Sequence, residues 1–360
     1  MKAGAKQPAF VLGLMSGTSL DGLDMALCGF SQNGKQYNYK ILKARTIEYR
    51  SDWKKRLSEA QHLSALDYFK TDADYAHFVS QHINRFLRGE KHRPQALASH
   101  GHTIFHQPRA GFTTQMGSGA LLAAKTGIVT VCDFRSLDVG LGGEGAPLVP
   151  IGDALLFGQY DACLNIGGIA NISLRKKGKR IAYDICCANM LLNFIAGRLG
   201  KAYDKGGQLA ARGVVDENLL DRLNKNPLYK KTGPRSIGRE WFEEEVLPLL
   251  ETSGVSVQNQ LATATDHVAH IVANELQKNK IKNVLVTGGG AFNTHLIKSI
   301  ARKTTCAIVV PEPEIVMFKE ALVFAFLAWL RIQGKINTLR SVTGARADSS
   351  GGAVYYPPRA

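Results

Sequence analysis

Val11-Leu12-Gly13-Leu14-Met15-Ser16-Gly17-Thr18-Ser19-Leu20-Asp21-Gly22-Leu23-Asp24 decides how this chain is read. An apolar run leads into Gly, Ser and Thr, and two carboxylates follow at once. The pattern predicts a strand, a tight turn and a second strand. The turn gathers small side chains, main-chain N–H groups and two acids. That set suits a phosphate chain with its Mg²⁺. Gly17, Thr18, Ser19, Leu20, Asp21, Gly22, Leu23 and Asp24 are the candidate nucleotide contacts, and Asp21 and Asp24 the candidate ligands of the metal or its waters. Taken alone, the stretch also fits an ordinary hairpin with Gly and Asp at its turn.

The 360 residues suffice for two domains, each with its own core. No apolar run is long enough to span a membrane. The start, Met1-Lys2-Ala3-Gly4-Ala5-Lys6-Gln7-Pro8, is basic, but the apolar segment after it reads as a first strand rather than a secretory signal. Cys28, Cys132, Cys163, Cys186, Cys187 and Cys306 include no CxxC pair, and most sit in apolar runs. A reducing cytoplasm is the expected location. The formal net charge of +15 poses a choice between nucleic acid and an anionic ligand. The basic residues are scattered, at Lys54-Lys55-Arg56, Arg88 to Arg93, Arg175 to Arg180 and Lys230-Lys231, with no interleaved aromatics. The expectation is therefore no nucleic-acid partner and no membrane, but a basic surface that attracts phosphorylated ligands.

Short Val/Ile-rich runs predict strands at Phe10–Leu14, Met25–Phe30, Tyr39–Thr46, Leu97–Ser99, Val129–Cys132, Ala162–Ile166, Asn171–Arg175, Ile181–Asp184, Val284–Val286 and Ala307–Val310. Helical spacing appears at Asp67–Leu87, Ala188–Leu199, Glu240–Leu250, Leu261–Leu276 and Lys319–Ile332. Alternation of the two kinds indicates an α/β protein. A Gly-rich turn after an early strand occurs twice, at Gly13–Gly22 and at Asn165-Ile166-Gly167-Gly168-Ile169-Ala170-Asn171. A duplicated strand–turn–strand is what a two-lobed nucleotide clamp needs. The breaker-rich run Gly140–Pro147 places a boundary near residue 140. A third loop, Thr287-Gly288-Gly289-Gly290-Ala291-Phe292-Asn293, stands at a strand-to-helix junction, where adenosine or phosphate can rest on a helix N-terminus. Gly167, Gly168, Gly288, Gly289 and Gly290 join the candidate nucleotide contacts.

Asp184 ends an apolar run, and Ile185-Cys186-Cys187-Ala188-Asn189 leads on to a helix. An acid at the carboxyl end of a strand faces the crevice where α/β enzymes bind ligands. A turn or cap Asp is the competing reading. Three histidines in Ser99-His100-Gly101-His102-Thr103-Ile104-Phe105-His106-Gln107-Pro108 raise zinc, but no acid or Cys completes a ligand set nearby.

Together these stretches resemble the anhydro-N-acetylmuramic acid kinases, a family of the sugar-kinase, heat-shock-chaperone and actin superfamily. The order of the three loops resembles the superfamily, and the phosphate loop resembles the family closely. Family-like stretches cover nearly the whole chain: Gln115-Met116-Gly117, Asp133-Phe134-Arg135, Gly142 to Pro150, Tyr203 to Gly207 and Pro234 to Gly238. The family carries its general base in an Asp-Thr-Gly-Pro-Gly-Asn motif. Asp184 and Asn189 match it, while Ile185, Cys186, Cys187 and Ala188 do not, and Asn193 replaces an acid common in the family. His102 stands where the family's His-Gly-Gln-Thr segment has Gln.

The resemblance implies a two-lobed, actin-like sugar-kinase ATPase fold with duplicated sheet domains and an active-site cleft between the lobes. Residues 1–140 would form the first lobe and 141–360 the second, with the last helix free to pack back on the first. It implies Asp184 as the catalytic base and Ser16, His102, Arg135, Asn189 and Glu320 as sugar contacts. An ion pair of Arg135 with Asp133 or Asp138, and a helix-initiating role for Glu320, are the alternatives. The implied reaction is hydrolytic opening of 1,6-anhydro-N-acetylmuramic acid with ATP-dependent phosphorylation to N-acetylmuramic acid 6-phosphate, a step in recycling cell-wall fragments in a bacterial cytoplasm. ATP and Mg²⁺ are the expected cofactors, and a homodimer is compatible with the sequence. Two rivals remain: a kinase of a different sugar, and a non-catalytic ATP-binding regulatory protein.

Overall fold

A computed structural model describes residues 8–231 and 235–358. Residues 1–7 of the basic start and Pro234 of a family-like stretch lie outside the described residues. The strands in chain order are β1 (Ala9–Ser16), β2 (Gly22–Asn33), β3 (Gln36–Glu48), β4 (Ala96–Gln107), β5 (Phe112–Met116), β6 (Val129–Cys132), β7 (Ala162–Ile166), β8 (Ile169–Lys176), β9 (Lys179–Cys187), β10 (Asn283–Thr287), β11 (Ala307–Val309) and β12 (Ala353–Tyr355).

Among the described residues, one sheet has the order β12-β6-β4-β1-β2-β3, with β5 paired to β4, and the other has β11-β10-β7-β8-β9. The two share a plan. In each, three strands meander antiparallel, and two later strands add in parallel on the side of the first. The order β6-β4-β1-β2-β3 thus recurs as β11-β10-β7-β8-β9, so the duplication expected from two similar Gly-rich turns is a duplication of whole sheets. β5 and β12, which carry no strong Val/Ile run, extend only the first.

The chain divides into two compact units, one of Met1–Leu156 with Phe318–Ala360 and one of Phe157–Met317. The division therefore falls after Leu156, and not near residue 140 as the breaker-rich run predicts. That run is tied into the first unit: Asp138 accepts from the Gly145 N–H and from Thr343 Oγ1, and the Glu144 N–H bonds the Thr343 carbonyl. Glycines there shape a turn hydrogen-bonded into the first unit, with Gly143 and Gly145 buried, rather than a linker.

In the first unit β1 is buried on both faces. Leu12 and Leu14 pack with Tyr75, Val79 and Ile83 of the helix Ala65–Phe86. A Cβ at Gly13 would collide with the Ala321 carbonyl of the helix Pro313–Ile332, so Gly13 serves close helix–strand packing. In the second unit Leu164, Ile166, Ile172 and Ile185 pack with Val268 and Val272 of the helix Val257–Lys278. Each such buried side chain contributes roughly 2 kcal/mol. The helix expected over Glu240–Leu250 is interrupted by a π turn at Phe242–Val246. Pro248 has no N–H to continue the α ladder, which accounts for the change of register.

Candidate active site

The hairpin β1–β2 brings Ser16 opposite Leu23. Leu20 takes φ +59° at the turn, and its N–H bonds the Gly17 carbonyl at 3.2 Å. Leu20 and Leu23 turn their side chains into the core, so they offer a ligand only main chain. Thr18, Ser19 and Asp21 are exposed. Asp24 is half-buried and accepts from Thr46 Oγ1 at 2.5 Å. Burial raises its carboxyl; the Thr46 bond opposes this, and the charge of Asp21 adds to it. No group of three or more His, Cys, Asp or Glu side chains is gathered for a metal among the described residues. A cation held by Asp21 and Asp24 would take its other oxygens from phosphate and water, the usual habit of Mg²⁺.

Ser16 is buried, and its hydroxyl is already engaged. Ser16 Oγ lies 2.7 Å from Tyr49 Oη and 2.8 Å from His102 Nδ1, and Tyr49 Oη lies 2.6 Å from Tyr75 Oη. Three hydroxyls carry three protons. All three are bonded only if Tyr75 donates to Tyr49, Tyr49 to Ser16, and Ser16 to His102 Nδ1. The reverse direction would leave the Tyr75 proton, deep in the core, without a partner. His102 is therefore the tautomer with its proton on Nε2. Burial pushes it down to about 4.

His100 is fixed in the opposite tautomer. Arg135 Nε and Nη2 donate to His100 Nε2 at 3.1 and 2.9 Å, so His100 donates from Nδ1 to the Gly101 carbonyl at 2.8 Å. Burial and the neighbouring Arg135 push His100 down to about 3. Arg135 Nη1 donates to the Gly145 carbonyl at 2.8 Å, which leaves two of its five N–H groups for a ligand. Asp133 bonds Ser136, and Asp138 bonds Gly145 and Thr343, so neither supplies the ion pair considered from sequence. His106 Nδ1 meets Thr113 Oγ1 at 3.2 Å.

Glu320 is exposed, yet the protein around it raises its carboxyl, opposed by Lys319. Lys319 is buried and pairs with Asp153 at 2.7 Å, a contact across 166 residues that no sequence pattern announces.

In the second unit the turn Gly167–Gly168 joins β7 to β8. Its carbonyls accept from the N–H groups of Ala188, Asn189 and Met190 at 2.8 to 3.0 Å, and Asn189 Nδ2 reaches the Ile166 carbonyl at 3.3 Å. The start of the helix Asn189–Gly197 is thereby fastened to this loop. The third loop lies on the same place. Gly288 has φ +82°, and a Cβ at Gly290 would collide with the Ile166 side chain, so these two glycines have a packing reason. A 3₁₀ turn, Gly289–Phe292, precedes the helix Thr294–Arg302, whose start is capped by Asn293 Oδ1 on the Leu296 N–H.

Asp184 does not end its strand. β9 runs on to Cys187, and Ile185, Cys186, Cys187 and Ala188 are all buried. The residues that depart from the family motif are core: the strand continues through Ile185, Cys186 and Cys187, and Ala188 caps the helix that follows. The cysteines are free thiols. Asp184 Oδ2 accepts from the Ile237 N–H at 2.9 Å. Burial raises the Asp184 carboxyl, against that bond and the charge of Arg235. A cavity of about 630 Å³ opens between Asn189, Asn193, Tyr203, Lys205, Gly289 and Phe292. Its exposed aromatic faces, Tyr203 and Phe292, beside polar groups suit a nucleoside.

A family model described as anhydro-N-acetylmuramic acid kinase matches residues 9–357. A protein of that description from Pseudomonas fluorescens is 36% identical over 96% of this chain and 99% of its own length. Another from Gloeobacter violaceus is 34% identical over 94% and 96%. Among solved structures, component A of the (R)-2-hydroxyglutaryl-CoA dehydratase of Acidaminococcus fermentans matches remotely, at 14% identity and a TM-score of 0.44 over 88% of this chain and 96% of that one. Near-complete coverage of both this chain and its relatives leaves one conclusion about descent: the chain belongs to the anhydro-N-acetylmuramic acid kinase family.

Proposed function

We propose that this protein is an ATP-dependent kinase that opens 1,6-anhydro-N-acetylmuramic acid with water and phosphorylates it to N-acetylmuramic acid 6-phosphate. The observation that carries the reading is the family match across residues 9–357. In this reading the enzyme returns cell-wall fragments to metabolism in the cytoplasm. No helix among the described residues is long and apolar enough to cross a membrane.

The substrate explains why one enzyme must do two things. Oxygen 6 of the sugar is locked in the bridge to the anomeric carbon and has no proton to give up. Asp184 takes a proton from a water, whose oxygen bonds to the anomeric carbon. The bridge breaks, and oxygen 6 accepts the γ-phosphoryl group while ADP leaves. Asp184 must be ionised to do this, and its Ile237 N–H bond favours that form. Gly17 to Asp24 hold the phosphates through N–H groups and the exposed hydroxyls of Thr18 and Ser19. Asp21 and Asp24 would hold Mg²⁺, which when bound would neutralise phosphate charge. The glycines of the second and third loops and the cavity beside Phe292 take the nucleoside end. Arg135, with two free N–H groups, suits the sugar's carboxylate, and Glu320 and Asn189 its hydroxyls. Ser16 acts through the loop it anchors, because its proton is already given to His102.

The test is ADP release from ATP and Mg²⁺ with and without the anhydro sugar, read together with the mass of the sugar product. Sugar-dependent ADP with a gain of one phosphoryl group and one water is expected. ADP without a sugar product contradicts the reading.

A further inference from the structure

One short segment crosses Asp184. The Asp184 N–H donates to the Arg235 carbonyl at 3.0 Å, and the Ile237 N–H donates to Asp184 Oδ2 at 2.9 Å. The Arg235 side chain, 4% exposed, pairs with Glu275 Oε2 at 3.0 Å on the helix Val257–Lys278. Glu275 Oε1 accepts from Tyr183 Oη and Asn279 Nδ2, each at 2.8 Å. The guanidinium also lies 5.6 Å over the Tyr183 ring, and Nη2 lies 3.4 Å from the Ile185 carbonyl. Both chain neighbours of Asp184 are thus tied to Arg235. Apolar side chains of similar volume often replace a buried ion pair at no loss of stability, so core stability alone gives no reason for this pair.

We propose that Arg235 and Glu275 are a positioning pair for Asp184: they pin residues 235–237 so that the Ile237 N–H occupies Oδ2 and leaves Oδ1 to take the proton of the attacking water. The inference rests on Asp184 being the base.

The groups facing Asp184 can be named. Arg235 crosses over the strand, and Glu275 stands behind it. Along the strand are the thiols of Cys186 and Cys187; burial pushes the first up and the second up to about 12, so both stay neutral. Tyr229, which neighbours the two thiols and Arg235, is likewise held neutral by burial. Removing the Arg235 charge and loosening the Ile237 N–H act in one direction, raising the Asp184 carboxyl. Since the base works only when ionised, the acid limb of kcat moves to higher pH.

The experiment compares Arg235→Met/Glu275→Leu with the parent enzyme. The double variant removes both charges at similar volume. A fall of about tenfold in kcat is expected, with KM for ATP unchanged within about twofold and the acid limb raised by about one pH unit. Arg235→Lys keeps the charge pair and should restore most of kcat and the parental limb. A purely structural pair would lower the melting temperature and leave the limb in place. A folded double variant with parental kcat and acid limb overturns the proposal. Should the double variant not fold, Arg235→Gln/Glu275→Gln, which removes both charges but keeps polar groups for Tyr183 and Asn279, is read the same way, and an unmoved limb overturns the proposal equally. Asp184→Asn in the same assay separates the two claims. If it retains turnover, the base is misassigned; if it is inactive while the pair variants are normal, only the positioning pair fails.

Discussion

The two hairpins at the heads of the two sheets look alike in sequence and are wired differently. The first, between β1 and β2, leaves Thr18, Ser19 and Asp21 exposed and anchors itself from behind through Ser16, Tyr49, Tyr75 and His102. The second, between β7 and β8, engages its own carbonyls with the helix that follows β9. The first is free to meet a ligand with donors at its tip. The second fixes the end of the strand that carries Asp184. The same topology has been used once to present groups and once to hold another segment still.

The largest effect expected of this division is at Asp184. Asp184→Asn keeps the shape and the Ile237 bond but removes the proposed base. Turnover should fall by at least about a thousandfold, with thermal stability near the parent's. Near-parental turnover would erase the functional difference between the hairpins.

Acid should expose a second difference. The first unit buries two neutral histidines near its hairpin, His100 at about 3 and His102 at about 4, while the second buries His267 at about 3 on the helix Val257–Lys278. The unfolded chain binds these protons near pH 6.5 and the folded chain does not. Stability is therefore full above that pH and is lost as pH falls toward each folded value. The loss is about 1.4 kcal/mol per histidine per pH unit. Hydrogen exchange between pH 7 and 5 should show the first unit loosening more. Equal protection in the two units at both values would remove the distinction.

The smallest effect is at Tyr75. It stands at the donor end of the hydroxyl chain, so Tyr75→Phe takes nothing from Ser16. Turnover should change by no more than about twofold, and the ¹⁵N signals of His102 should still report an unprotonated Nδ1. A signal from protonated Nδ1 in the parent would reverse the chain's direction.

Much of this was legible in the sequence. Alternating apolar residues and turn formers predict the strands of both hairpins, and helical spacing finds Ala65–Phe86 within two residues. Asp184 is readable as an acid beside a strand end. The reach of β9 to Cys187 is not, because Cys186 and Cys187 are held in the strand by burial rather than by a local pattern. Lys319–Asp153 and Arg235–Glu275 join residues far apart in the chain, and only tertiary packing puts them together. Ser16 reads as a ligand contact because a hydroxyl in a Gly-rich turn usually is one; its bonds to Tyr49 and His102, on other segments of the chain, are not readable in the sequence.

In the proposed reaction water is added to the sugar and the phosphoryl group to the oxygen thereby freed. The direct measurement is turnover in ¹⁸O-labelled water, with rapid mass analysis of sugar and phosphate before the anomeric hydroxyl exchanges. The account predicts one label on the sugar carbon skeleton and none in the transferred phosphate. Label in phosphate, with the sugar unlabelled, would mean that water attacks ATP and would contradict it.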